Sequence, residues 1–157
     1  MTLRFDAPWS SPLTLLTALV LGILAIAVWS GSTIAALLVG GSVVLAAYYS
    51  VRGYTVEPGV LVIHRLGWTT RLDLATLESA EVDPDAMRWS IRTWGMGGPF
   101  AFVGHYRSRP LGAYTAYATD RDLAVVLRWP DRTVVVTPDD PEAFAVAVEA
   151  ASEASEL

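Results

Sequence analysis

The chain has 157 residues, room for one domain plus a modest extra element. Hydrophobic residues make up 53% and charged residues 17%, the formal net charge is −5, every basic residue is arginine, and there is no cysteine. An acidic surface repels polyanions, which excludes a general nucleic-acid binder or a polybasic lipid-surface binder, and the missing cysteines exclude disulfides, thiol nucleophiles and cysteine-ligated metals.

The apolar excess sits at the front. No charged residue occurs from residue 7 through 51, a run of 45. A membrane-spanning helix needs ~20 mostly apolar residues, and the run holds two: "PLTLLTALVLGILAIAVW", residues 12–29, and "TIAALLVGGSVVLAAYYSV", residues 33–51. Ser30, Gly31 and Ser32 make the turn between them. In hydrocarbon every backbone N–H and C=O must be bonded within its own segment, so both read as helices. Residues 1–52 are thus expected to be a two-helix transmembrane hairpin. Trp9 and Trp29 bracket the first helix, and Tyr48, Tyr49 and Tyr54 mark the end of the second, as amphipathic rings do at membrane interfaces. Arg4 and Arg52 flank the pair on the terminal side, so the positive-inside rule places both termini in the cytoplasm. Ala18 and Gly22 in the first helix, with Ala36 and Gly40 in the second, have the small-xxx-small spacing of a close packing seam. Arg4 followed by Ala25-Ile26-Ala27 also has the outline of a cleavable signal, but the apolar run continues at once into a second span.

From Gly53 onward nine arginines face fifteen acids, near −6, and the hydrophobic period changes to two. "YTVE" and "VLVIHR" flank the Pro58-Gly59 turn; "TRLDL" alternates with Leu72 and Leu74 inward; residues 77–82 form a weaker strand. "RWSIRTW", "FAFVGHY", "AYTAYAT", "LAVVLRW" and "RTVVVT" follow, with Leu123, Val125, Leu127 and Trp129 on one face. Asp139 or Asp140 caps a closing helix with Pro141 in its first turn and Phe144 and Val148 on one stripe; the tail from Ser152 reads as frayed. Residues 53–157 are therefore expected to be a bent sheet closed by one amphipathic helix.

Chemistry-bearing patterns are sparse. "WGMGGPF", residues 94–100, has three glycines, but neither the Lys and Ser/Thr of a phosphate loop nor a following helix, and Phe100 stands where a dinucleotide fingerprint has its last glycine. Gly95, Gly97 and Gly98 read as loop residues. His64 and His105 are the only histidines and have no ligand-spaced companion, so no metal is expected, and no Gly-x-Ser-x-Gly elbow is present. The polar cluster "GHYRSRP" remains: His105, Arg107 and Arg109 could hold an anion or a lipid head group.

Three stretches, "YTVEPGVLVIHRLGWTTRLDLATLESAE", "GHYRSRPLGAYTAYATD" and "RTVVVTPDDPEAF", resemble the bacterial pleckstrin-homology-like domains that follow membrane helices. The resemblance covers roughly residues 54–150. It implies a PH-like barrel of about seven strands with a C-terminal capping helix, in a multi-pass protein of the bacterial inner membrane. It implies no reaction and no cofactor. The first hairpin loop, Val56-Glu57-Pro58-Gly59, carries an acid and no base, so phosphoinositide binding does not carry over. The expected role is a non-enzymatic, membrane-anchored scaffold that binds a protein partner or itself; the alternatives are a lipid head-group sensor or an enzyme acting on envelope or lipid precursors.

Overall fold

The structure is a computed structural model, and the residues it describes are 2–98 and 101–154. In chain order they form β1 (Leu3–Asp6), α1 (Ser11–Trp29), α2 (Thr33–Tyr49), β2 (Val51–Glu57), β3 (Val60–Arg65), β4 (Thr69–Asp73), β5 (Ser79–Val82), β6 (Ile91–Gly98), β7 (Ala101–Ser108), β8 (Gly112–Ala118), β9 (Val125–Arg128), β10 (Thr133–Val136) and α3 (Pro141–Glu153). The strands make two sheets, β1-β2-β3-β4 and β5-β9-β10-β8-β7-β6. All pairings are antiparallel except β10 with β8. The expected class, an apolar helical hairpin and then a PH-like β domain with a closing helix, is the one observed; among the described residues that domain has nine strands, β2–β10, where about seven are expected, and β1 adds a tenth ahead of the hairpin.

The extra strand at the front changes the plan most. β1 precedes the hairpin, β2 follows it, and the two are neighbours: Leu3 pairs with Val56, Phe5 with Tyr54 and Asp6 with Gly53. The hairpin therefore leaves the sheet and returns to it, and the division at residue 52 is crossed by backbone pairing. Arg4 is an exposed position of β1 and Arg52 an exposed position of β2, so both belong to the sheet rather than to free helix flanks. Gly53 permits the approach, since a Cβ there would stand 2.8 Å from the carbonyl oxygen of Phe5. Gly53→Ala is expected to push β1 off the edge at a cost of about 1–3 kcal/mol. Faster amide exchange in residues 3–6, with the β3–β4 pairing unchanged, is the reading that checks it.

The two helices are capped by Ser10 and Ser32, whose side chains accept from Leu13 and Ala35 N–H. Ser50 is extended and Val51 opens β2, so the second helix ends two residues before the expected 51. Among the described residues α1 is the one helix long and apolar enough to cross a membrane; α2, at 17 residues, is shorter. The packing seam also differs from expectation. On α1 the buried residues are Leu13, Thr17 and Ala27, at helical spacing. Ala18 and Gly22 face outward, and a Cβ at Gly22 would meet nothing within 4 Å. Ala36 and Gly40 are half-buried, and a Cβ at Gly40 would lie 3.7 Å from Leu24 Cδ1. Leu24 of α1 thus lies against Gly40 of α2. Elsewhere Leu15, Leu19, Ile26, Ile34 and Leu37 stand exposed.

The main core lies between the sheets and α3. It holds Val51, Tyr54, Leu61, Ile63, Leu74, Val125, Leu127, Val136, Phe144 and Val148. Tyr54, read from sequence as an interface ring, is fully buried there. A second cluster covers the opposite face of the larger sheet, where Ala86 and Met87 pack on Tyr106, Tyr114, Ala116, Val126 and Val135. Strands buried on both faces need apolar residues without alternation, which is why "VVL" and "VVV" run unbroken. Val125, Leu127 and Trp129 share the main-core face as expected, whereas Leu123 falls in a 3-10 turn, residues 121–123. Asp140 caps α3 by accepting from Ala143 N–H, and Asp139 accepts from Asp6 N–H. Ser152 is helical rather than frayed; its hydroxyl donates to Leu74 O at 2.8 Å.

Candidate functional site

The strand registers give the β domain two ends. At one end α1 begins: Ser10 Oγ donates to the carbonyl of Thr119, just past β8. Tyr48 and Tyr49, at the foot of α2, pack edge-to-face on Trp68 of the β3–β4 turn, with centroids 5.3 and 5.0 Å away. Gly67 lies under the Tyr48 ring, where any Cβ would collide. Arg65 continues the stack: its guanidinium lies 5.3 Å from the Trp68 centroid and 4.9 Å from that of Tyr117. Burial lowers the proton affinity of Arg65, with Tyr117 acting in the opposite direction. Trp9 is exposed near the start of α1, and Trp29, 93% exposed, caps the far tip of the hairpin. Trp9, Trp29, Tyr48 and Tyr49 therefore sit at hairpin ends, and the β domain packs Trp68 against two of them, a contact that sequence reasoning missed because Trp68 lies in a turn.

The opposite end carries Arg107 and Arg109. They line a groove of about 1030 Å³ together with Arg88, Trp89, Ile91, Thr93, Pro110 and one acid, Asp85. Gly112, at its rim, is six residues up β8 from Ala118, so the groove lies roughly 20 Å along the strand from the base of α1. Its shape follows from local anchoring. Met87 is buried in the second core, and Tyr114 donates its hydroxyl to Ser90 Oγ at 2.7 Å. Trp89, held between these two anchors, is forced outward at φ +58°, an unusual conformation for so bulky a residue. It is 88% exposed, and Ile91 and Trp94 on the edge strand β6 are 73% and 78% exposed. Ile91 pairs with Arg107 and Trp94 with His105, so these four side chains share one face of the sheet. Tyr106 and Tyr114 stack behind them at 5.8 Å, and burial raises the pKa of both hydroxyls.

The match that decides the family spans residues 52–152, where the chain fits the model described as Bacterial PH domain. The chain belongs to the bacterial PH domain family. No curated protein and no solved structure matches it. In this bacterial PH domain the β2–β3 loop is tied to the closing helix, with Gly59 N–H donating to Ala151 O at 3.0 Å. The glycine stretch is not a loop: β6 runs through Gly95, Gly97 and Gly98, paired with Gly104, Phe102 and Ala101. Pro99 and Phe100 lie outside the described residues.

The histidines do not converge. His64 Nε2 bonds Thr55 Oγ1 at 2.7 Å in the smaller sheet, and His105 Nδ1 bonds Thr115 Oγ1 at 3.2 Å in the larger. His105 shares a sheet face with Arg107 but does not line the groove, so the expected cluster splits. Among the described residues no group of three or more His, Asp or Glu is placed to hold a metal ion. Sequence reasoning missed Trp89, Ile91 and Trp94. A signal was present: residues 86–119 contain four arginines and no acid, in a chain of net charge −5.

Proposed function

We propose that this bacterial PH domain is a membrane-tethered binding module that presents its groove to a protein partner on the cytoplasmic side. The observation that carries the reading is the pairing of β1 with β2 across the hairpin. Because the strands before and after α1 and α2 are neighbours, the two helices must go out and come back. Their outward-facing Leu and Ile side chains have no protein cover, and lipid supplies it. At 1.5 Å per residue α2 is about 26 Å long, near the ~30 Å hydrocarbon thickness that tilt or local thinning accommodates. Cleavage after α1 would strip β1 from its sheet, which argues against a signal peptide.

The separation of roughly 20 Å along β8 between the groove and the hairpin base favours a protein partner over a lipid head group. The PH-like fold is a binding scaffold, and the groove's arginines supply charges suited to holding a ligand.

The chain has no cysteine, so single cysteines report topology cleanly. In intact cells a membrane-impermeant maleimide is expected to label Gly31→Cys in the turn and to spare Asp131→Cys, which reacts only after lysis. Labelling of both from the same side, or release of the protein by alkaline carbonate, refutes the tether.

A further inference from the structure

We propose that the groove beside β6 takes an acidic, extended peptide segment carrying apolar side chains, supplied by a partner protein. This rests on the binding-module reading above. Charge identifies the occupant. The groove is lined by Arg88, Arg107 and Arg109 against one acid, Asp85, whereas the chain from Gly53 onward holds nine arginines against fifteen acids. Like signs repel and unlike signs steer, so a groove with an excess of arginine on an otherwise acidic domain selects a negative partner. Arg107 and Arg109 have no acid within 4.0 Å among the described residues, and Arg88 reaches Asp85 only across an exposed 3.2 Å pair. Their guanidinium forks are therefore free to take carboxylates, often two hydrogen bonds at a time.

Apolar anchors sit beside these charges. Trp89, Ile91 and Trp94 are among the largest exposed side chains of the β domain, and a cluster of Trp, Ile and Arg is the composition of an interface centre. β6 ends the six-stranded sheet, so among the described residues no strand pairs with its outer edge, although α2 approaches β6. An extended segment can lie against that edge with its carboxylates on the arginines and its apolar side chains on Ile91 and Trp94. The bulge between Arg92 and Trp94 interrupts the edge and limits the docked segment to a few residues.

The test uses the full chain in nanodiscs of phosphatidylcholine and three fluorescein-labelled octapeptides, alternating Glu–Leu, Lys–Leu and Glu–Ser. The Glu–Leu peptide is expected to bind at least about tenfold more tightly than either of the others. Arg107→Glu with Arg109→Glu, and separately Trp89→Ala with Trp94→Ala, are each expected to weaken it by at least about tenfold. Arg71→Glu, an exposed reversal on β4, is expected to leave binding within twofold. Equal binding of the Glu–Leu and Lys–Leu peptides, no binding of the Glu–Leu peptide, or an equal loss in Arg71→Glu overturns the proposal. So does flotation with phosphatidylglycerol vesicles that depends on Arg107 and Arg109 while the peptides stay unbound, which assigns the groove to lipid. A photo-crosslinking residue at position 94 or position 71, in native membranes, separates the two readings. A protein adduct at 71 alone leaves the module standing and removes this groove; no adduct at either defeats both.

Discussion

Tyr54→Phe is expected to destabilise the β domain by about 2–4 kcal/mol although it removes a single oxygen. The Tyr54 hydroxyl is wholly buried, donates to Tyr117 O at 2.6 Å and accepts from Thr137 N at 3.1 Å. It thereby links β2 of the smaller sheet to β8 of the larger and to the residue following β10. Phenylalanine leaves a buried carbonyl and a buried N–H unmet, at about 1–3 kcal/mol each. The same burial pushes the Tyr54 pKa from 10.0 to about 12, with the hydrogen bonds from Thr137 opposing. Since the folded value lies above the unfolded one, this contribution is complete below pH 10 and is lost as the pH rises through about 12. It corresponds to about 3 kcal/mol. Urea titrations in detergent between pH 8 and 12 should show the wild type losing stability above pH 10 and the variant losing less. Tyr106 and Tyr114, also raised by burial, leave a residual slope. A variant as stable as wild type at pH 8 would mean the hydroxyl does not join the sheets.

Phe144→Ala is expected to cost more, about 3–5 kcal/mol, with a fall in Tm of roughly 15–30 °C. Phe144 is the largest fully buried side chain of α3 among the described residues. Its ring meets Phe5 of β1 at 5.1 Å and Tyr54 of β2 at 5.8 Å, both edge-to-face. It is the point where helix, first strand and central core converge, so the cavity opens under the edge strand as well. Near-UV circular dichroism on heating gives the measurement, and Phe144→Leu, which keeps most of the volume, should recover much of the loss. A fall in Tm under about 5 °C would show that the site collapses around the gap.

Much of the fold was legible because each element carries its own period or boundary. The uncharged run predicts two helices with a serine–glycine turn. Leu72 and Leu74 alternate as a half-buried strand does, and Asp140-Pro141 opens a helix by capping and fixed φ. What stayed hidden depends on pairing between distant residues. Leu3-Arg4-Phe5-Asp6 is too short to announce a strand; it becomes one only because β2 offers an edge. Ala18 and Gly22 have the spacing of a seam, yet spacing fixes a face and not the partner opposite it. The glycines from 95 to 98 read as a loop because glycine is a weak strand former, and the partner strand β7 overrides that preference. Of the site, Arg107 and Arg109 were legible as a charge cluster. Trp89, Ile91 and Trp94 were not, because alternation suggests which side chains share a face and not which face is left open.

The neighbouring of β1 and β2 also sets an order for assembly. The first strand leaves the ribosome some 45 residues ahead of its partner and has nothing to pair with until both helices have been made. Closing so long a loop in water is costly, but helices that pair side by side in the proposed tether bring its two ends to about 8–10 Å, a short step from the strand spacing of about 4.8 Å. Under the proposed tether, insertion becomes a folding step for the β domain as well. A bulky fusion at the amino terminus would crowd the last seam to close, whereas one attached after α3 would not.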